Sequence, residues 1–136
     1  MMQLDDILII GYGSQAKVWA LNLVDSGLSV TIGLRAKSPS RALALRDGHE
    51  VLEYQKASEL CFKTVILLTP DHTHLKIVEE IASKVIENTR VVYAHGFSIT
   101  AKNIPSIYPA LSHLLLAPKA IASEMRGMYL SNSPIP

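Results

Sequence analysis

Apolar runs of strand length alternate along the chain with stretches of helical spacing, which predicts a β-α-β order from end to end. The first strand covers about Ile7 to Ile10, and a helix follows from about Ser14 to Ser26. Its Ala16, Trp19, Ala20 and Leu23 repeat at i, i+3, i+4 and i+7, and Asp25-Ser26-Gly27 stops it. A second strand spans Ser29 to Leu34. The next helix, about Ser40 to Arg46, ends at Asp47-Gly48 before a short strand near Glu50 to Leu52. A weak helix around Lys56 to Cys61 leads into a fourth strand, Thr64 to Thr69. The strongest helical pattern runs from Asp71 to Ile86, with Asp71 as N-cap after Pro70 and Leu75, Val78, Ala82 and Val85 on one face. A fifth strand, Arg90 to Ala94, breaks at His95-Gly96. An ill-defined connection through Pro105 and Pro109 then reaches a sixth strand, about His113 to Ala117. Beyond Lys119 the periodicity fades, and Ser131 to Pro136 reads as a loop.

Strands that are apolar without alternation and are joined by helices imply a mostly parallel sheet with helices on both faces. Right-handed crossovers and the count of elements predict a doubly wound α/β fold with strand order 3-2-1-4-5-6. No repeat, low-complexity tract or linker interrupts the pattern, so residues 1–136 are expected to form a single domain.

Composition narrows the function classes. The chain has 136 residues, 49% hydrophobic and 18% charged, with a formal net charge of +1. So much apolar content supports a sizeable core and opposes disorder. The longest uncharged apolar runs, Val65 to Leu68 and Leu114 to Ala117, are far below the roughly 20 residues a bilayer demands, so no membrane association is expected. Near-neutrality gives no electrostatic reason for a nucleic acid partner. The opening Met1-Met2-Gln3-Leu4-Asp5-Asp6 is acidic where a secretory leader is basic, and Cys61 is the only cysteine. A cytoplasmic location without disulfides is expected, with Cys61 as a packed, inert thiol.

The first βα turn reads Gly11-Tyr12-Gly13-Ser14-Gln15-Ala16, a G-x-G-x-x-A fingerprint between a strand and a helix. Gly11 suits the tight turn, Gly13 lets backbone approach a pyrophosphate, and Ala16 permits close packing of helix on strand. The helix N-terminus adds free N–H groups and the positive end of its dipole. A Rossmann-type dinucleotide site is the expectation, and a purely structural turn is the alternative. An NAD site usually carries an acid at the end of the second strand, for the ribose 2′-hydroxyl. Arg35 stands there instead, followed by Lys37, Ser38 and Ser40, a set suited to a 2′-phosphate. NADP(H) is therefore the expected cofactor. Against this, Arg35 and Lys37 could be solvated charges, with Ser40 merely capping a helix.

Two further clusters lie at carboxyl ends of strands, where ligands bind in open α/β sheets. They are Thr69-Pro70-Asp71-His72-Thr73-His74 and Tyr93-Ala94-His95-Gly96-Phe97-Ser98. His72 and His74 are two apart in a helical first turn, a poor spacing for zinc, and read as surface or cofactor-contact residues with no metal assigned. His95, at a strand exit facing the cleft, could polarise a carbonyl or hold a water. By position alone, packing and catalysis stand level for it. Lys119 after Ala117-Pro118 is similarly placed, and read alone it is a solvated lysine.

In combination these segments closely resemble the N-terminal domain of ketol-acid reductoisomerase. The resemblance runs collinearly through Gly11-Tyr12-Gly13-Ser14-Gln15, Leu21-Asn22-Leu23, Asp25-Ser26-Gly27, Gly33-Leu34-Arg35 with Ser38 and Ser40, and Leu68-Thr69-Pro70-Asp71. It continues through Ala94-His95-Gly96-Phe97, Ala117-Pro118-Lys119 and Arg126. It implies an oxidoreductase of isoleucine and valine biosynthesis. Such an enzyme isomerises a 2-hydroxy-3-keto acid (2-acetolactate or 2-aceto-2-hydroxybutyrate) with magnesium, then reduces the product with NADPH. By the resemblance, Tyr12, Gly13, Ser14 and Gln15 line the pyrophosphate, and Arg35, Ser38 and Ser40 hold the 2′-phosphate. Asp71, His72, Thr73 and His74 flank the cofactor, while His95 and Lys119 are the catalytic candidates. The family has a Pro-Gly pair where this chain reads Ile121-Ala122. Its helical C-terminal domain, which supplies the magnesium ligands, has no counterpart in the sequence, so this chain alone is expected to be inactive and the longer protein to be a homo-oligomer. A non-enzymatic NADP-binding or sensing module, and another NADP-linked reductase sharing this domain, stand as alternatives.

Overall fold

A computed structural model describes residues 6–136 of the chain. The acidic stretch at residues 1–5, invoked above against a secretory leader, lies outside the described residues. Six strands, β1 (Asp6–Ile10), β2 (Ser29–Leu34), β3 (Glu50–Glu53), β4 (Thr64–Leu67), β5 (Arg90–Tyr93) and β6 (Ser112–Leu115), make one sheet. Their order is β3-β2-β1-β4-β5-β6 with every neighbouring pair parallel, as the periodicity predicts. The helices are α1 (Ser14–Asp25), α2 (Arg41–Arg46), α3 (His74–Ile81), α4 (Phe97–Thr100), α5 (Ile104–Ile107) and α6 (Ala122–Leu130).

The central strand shows why its sequence is a continuous apolar run. β1 is flanked by β2 and β4, and its side chains alternate between two cores. Ile7 and Ile9 pack with Trp19 and Ala20 of α1, Ile32, Ile66 and Met125 of α6. Leu8 and Ile10 pack on the opposite face with Val65, Leu67, Tyr93 and the α3 residues Ile77, Val78 and Ile81. Both faces of β1 are thus dry, and the polar alternation of a half-exposed strand is absent from it.

Several expectations need correction. Residues 56–61 form no helix, since Leu60 is fully buried in an isolated parallel bridge to Val85, with its N–H donating to the Lys84 carbonyl at 2.9 Å. The strong helical pattern opens with a 3₁₀ turn, Asp71–Thr73, and α3 stops at Ile81 instead of Ile86; Asp71 makes no capping hydrogen bond. The buried stripe of α3 is His74, Ile77, Val78 and Ile81, because a buried histidine takes the first slot and rotates the face away from the one read from aliphatic residues alone. The ill-defined connection holds two single-turn helices, α4 and α5.

A further correction is α6, in the stretch where periodicity fades. Only Met125 of its nine residues is buried, so it has almost no apolar stripe to detect. Polar pairing with α1 holds it instead: Arg126 Nη1 lies 2.8 Å from both Asn22 Oδ1 and Asp25 Oδ2. The Tyr129 and Ser26 hydroxyls meet at 2.7 Å. Cys61, expected to be packed, is exposed in the turn before β4.

Candidate functional site

A cleft of about 450 Å³ opens where β1 and β2 end. Its walls come from Gly11 and Tyr12, the β2 exit Arg35 to Ser40, Tyr54 beyond β3, and Thr69, Pro70, Thr73 and Ile77 beyond β4. The strands on either side of β1 lead into crossovers on opposite faces, which parts the chain and leaves a crevice at this point.

Gly11 is required by the backbone. It sits at φ +104°, and a Cβ there would lie 2.7 Å from the Leu68 carbonyl oxygen. Its N–H donates to the Gly33 carbonyl at 3.1 Å, pinning the turn to β2. Gly13 differs: it is the N-cap of α1 in extended backbone, and a Cβ on it would meet nothing within 4 Å. No side chain caps α1, so its first N–H groups have no side-chain acceptor. Ser14 is exposed and Gln15 half-buried in this first turn.

At the β2 exit the chain folds into a tight turn. Ser38 N–H donates to the Arg35 carbonyl at 3.2 Å, Ser40 N–H to Ser38 Oγ at 3.3 Å, and Arg41 N–H to the Ser38 carbonyl at 3.3 Å. Lys37 takes the left-handed region at φ +61°, which a lysine rarely adopts. The turn brings Arg35, Lys37, Ser38 and Ser40 onto one wall of the cleft, and no Asp or Glu is among the lining residues. Arg35 Nε–H donates to Tyr54 Oη at 3.1 Å. Ser40 occupies the N-cap position of α2 but makes no capping bond with its side chain.

Tyr12 is buried, its ring edge-on to His49 and its hydroxyl donating to Asp47 Oδ2 at 2.7 Å. Burial and then this bond raise the Tyr12 pKa, keeping the phenol neutral. Tyr12 therefore lines the cleft with its ring while its polar end is engaged elsewhere.

The cluster after β4 divides. Thr73 lines the cleft, with its hydroxyl donating to the Pro70 carbonyl at 2.6 Å. His72 is exposed and Asp71 half-buried. His74, expected to flank the cofactor, is 1% exposed and does not line the cleft. Its Nε2–H donates to the Thr69 carbonyl at 2.9 Å, so in the neutral ring Nδ1 accepts the Ser98 hydroxyl at 2.7 Å. Both nitrogens are spent on tying the β4 exit to the β5 exit. Burial holds its pKa below the ordinary value, with the neighbouring His95 and His72 adding to that direction.

His95 and Lys119 are both exposed, at the carboxyl ends of β5 and β6. They share the strand-exit edge of the sheet with the cleft but do not line it. The Lys119 N–H donates to the Pro136 carbonyl at 3.1 Å. Among the described residues no group of three or more His, Cys, Asp or Glu side chains is placed to hold a metal ion, and no helix is long and apolar enough to cross a membrane. Sequence reasoning missed Tyr54 and Ile77 as cleft residues. Tyr54 was discoverable, since it follows β3 at the same carboxyl edge as Arg35.

The model of the acetohydroxy acid isomeroreductase NADPH-binding domain matches residues 1–136. A ketol-acid reductoisomerase (NADP(+)) of Xanthomonas euvesicatoria pv. vesicatoria is 39% identical over 136 residues, covering 96% of this chain and 39% of that protein. One from a Psychrobacter species is 35% identical over 139 residues, covering 100% of this chain and 40% of the relative. Among solved structures, an NADH-preferring ketol-acid reductoisomerase from an uncultured archean superposes with a TM-score of 0.85 at 34% identity, over 97% of this chain and 41% of that one. A Mycobacterium tuberculosis 3-hydroxyisobutyrate dehydrogenase, at TM-score 0.77 and 16% identity over 92% of this chain and 44% of that one, shares the fold alone. The chain spans about two-fifths of the length of the curated relatives it matches. With the family's model matched from the first residue to the last, this chain belongs to the acetohydroxy acid isomeroreductases, in their NADPH-binding domain.

Proposed function

We propose that this domain holds NADP(H) for a ketol-acid reductoisomerase reaction carried out by a longer, cytoplasmic, self-associating protein. In that reaction 2-acetolactate or 2-aceto-2-hydroxybutyrate is isomerised with magnesium and then reduced. The observation that carries the cofactor choice is the cleft wall itself. Arg35, Lys37, Ser38 and Ser40 bring two cations and two hydroxyls together at the end of β2, with no carboxylate among the lining residues. A 2′-phosphate is stabilised there, whereas a bare 2′-hydroxyl finds no acidic acceptor.

The residues present fit the rest of a dinucleotide. Open space over Gly13 and the uncapped N–H groups of α1 suit a pyrophosphate. The buried Tyr12 ring and Ile77 give the cleft apolar surface. Bound NADPH would supply the hydride. His95 would hold or move a proton at its imidazole, and Lys119 would place positive charge near the developing oxyanion. The magnesium-dependent step belongs in this reading to the part of the relatives that the chain does not span.

Titrating NADPH and NADH against the chain tests the cofactor assignment. NADPH should bind at least tenfold more tightly, and Arg35→Ala should abolish most of that preference. Equal affinities, unchanged by Arg35→Ala, would overturn it. For the chemistry, the longer protein should turn over 2-acetolactate with magnesium and NADPH. Undiminished turnover after His95→Ala would remove His95 from the mechanism.

A further inference from the structure

The residue that gives Arg35 its direction lies just beyond the end of the neighbouring strand. β2 and β3 pair in parallel with Leu34 opposite Glu53, so the next step beyond the ladder sets Arg35 beside Tyr54. There the Arg35 Nε–H donates to Tyr54 Oη at 3.1 Å. We infer that Tyr54 is a specificity-determining positioning residue, which fixes the Arg35 guanidinium so that its two terminal nitrogens face the cleft for a 2′-phosphate. The inference rests on the NADP(H) reading above and adds to it a residue that touches Arg35 through its hydroxyl.

The two partners differ in freedom. Arg35 is exposed, and an exposed arginine samples many rotamers, so ordering it on ligand binding costs conformational entropy. Tyr54 is 1% exposed and cannot follow it. Its ring packs in the core with Leu8, Ile10, Leu60 and Ile77. Its backbone is held as well: Lys84 Nζ donates to the Tyr54 carbonyl at 3.2 Å and to the Gln55 carbonyl at 2.7 Å. A rigid acceptor thus engages the one N–H that points back along the arginine stem. The fork formed by the other two nitrogens is left oriented, the geometry in which a guanidinium recognises a phosphate through two parallel bonds. Lysine cannot reproduce this, because it has a single charged nitrogen and no second donor to anchor.

Isothermal titration of the chain with NADPH and with NADH, for wild type, Tyr54→Phe, Arg35→Lys, Arg35→Ala and Tyr54→Phe/Arg35→Ala, tests it. Tyr54→Phe keeps the buried ring and removes only the acceptor, and a cooperative thermal unfolding transition is the check that the variant folds. NADPH should weaken three- to tenfold in Tyr54→Phe and at least as much in Arg35→Lys, while NADH stays within twofold. The double variant should match Arg35→Ala alone, since Tyr54 acts only through Arg35. Arg35→Lys, altered at an exposed position, carries the same comparison without touching the core. Equal losses for both nucleotides, no loss in Tyr54→Phe, or additive losses in the double variant each overturn the inference. If Arg35→Ala lowers NADPH affinity and Tyr54→Phe does not, the inference alone fails; if Arg35→Ala changes nothing, the 2′-phosphate reading fails with it.

Discussion

The Tyr12 hydroxyl donates to Asp47 Oδ2 at 2.7 Å, joining the first βα turn to the residue that closes α2, with Lys17 Nζ 3.5 Å from the same oxygen. The Tyr12 hydrogen bond is the largest cause holding the Asp47 carboxyl below its ordinary value of 3.8. A depressed carboxyl contributes stability above that ordinary value and loses it as pH falls through the folded value. Tyr12→Phe should therefore cost about 1–2 kcal/mol at pH 7, with the gap to wild type narrowing below about pH 4. Urea unfolding at pH 7 and pH 3 checks this, and a gap that is constant with pH contradicts it.

Gly11 and Gly13 should separate folding from binding. Gly11→Ala forces a methyl to 2.7 Å from the Leu68 carbonyl at a positive φ, and should cost more than about 2 kcal/mol. Gly13→Ala adds a methyl to open space in extended backbone, so the melting temperature should hold within about 2 °C. That methyl occupies the volume assigned to the pyrophosphate, so NADPH affinity should fall at least tenfold. Melting and titration of both variants decide the matter. Wild-type NADPH affinity in Gly13→Ala would contradict the placement.

His74 and His49 should make the fold sensitive to mild acid. Burial is the leading cause lowering both pKa values below 6.5. A ring kept neutral by the fold contributes its full stability above 6.5, and that contribution falls as pH drops below 6.5 because the unfolded chain takes up the proton first. Stability should thus decline between pH 7 and pH 5, by at most about 1.4 kcal/mol per pH unit per ring. His74→Gln should flatten that slope while lowering stability at pH 7, since Gln cannot serve both Thr69 and Ser98. Denaturant midpoints across this range test it, and an equal slope in wild type and variant counts against it.

The α1–α6 contact should behave as a local unit. Arg126→Ala removes the partner of Asn22 and Asp25 and should cost about 1 kcal/mol. Met125→Ala, in the only fully packed position of α6, should cost about 2–3 kcal/mol. In both variants amide exchange should quicken in residues 122–130 before it quickens in β1 or β4. Uniform acceleration across the sheet would show that α6 is part of the global unfolding unit.

What the sequence disclosed divides along physical lines. The bounds of β2 and the strand order agree with those read from sequence, because the central strand β1, buried on both faces, leaves an apolar run that anchors the alternation of strands and helices. Gly11 is legible through its backbone demand, a positive φ packed against the Leu68 carbonyl. His74 was misplaced because a buried histidine served on both nitrogens looks, in one dimension, like a polar surface residue. α6 was invisible because side-chain pairing to α1, with little apolar burial, holds it. Tyr54 is legible only through strand pairing: it follows β3 at the carboxyl edge where Arg35 follows β2, with no local spacing joining the two.

The position of β1 in the middle of the sheet has a consequence in time. Its partners begin at Ser29 and Thr64, and the leucine and isoleucine side chains on its second face wait for Val65, Leu67 and Ile77. A ribosome supplying residues from the N-terminus at about 5–20 per second releases this strand seconds before its second neighbour exists. During that interval β1 is an apolar segment with one bare edge. β1 therefore stays paired on one side until β4 follows it, and the parallel register with β4 is what closes the second edge of the strand beside the crevice.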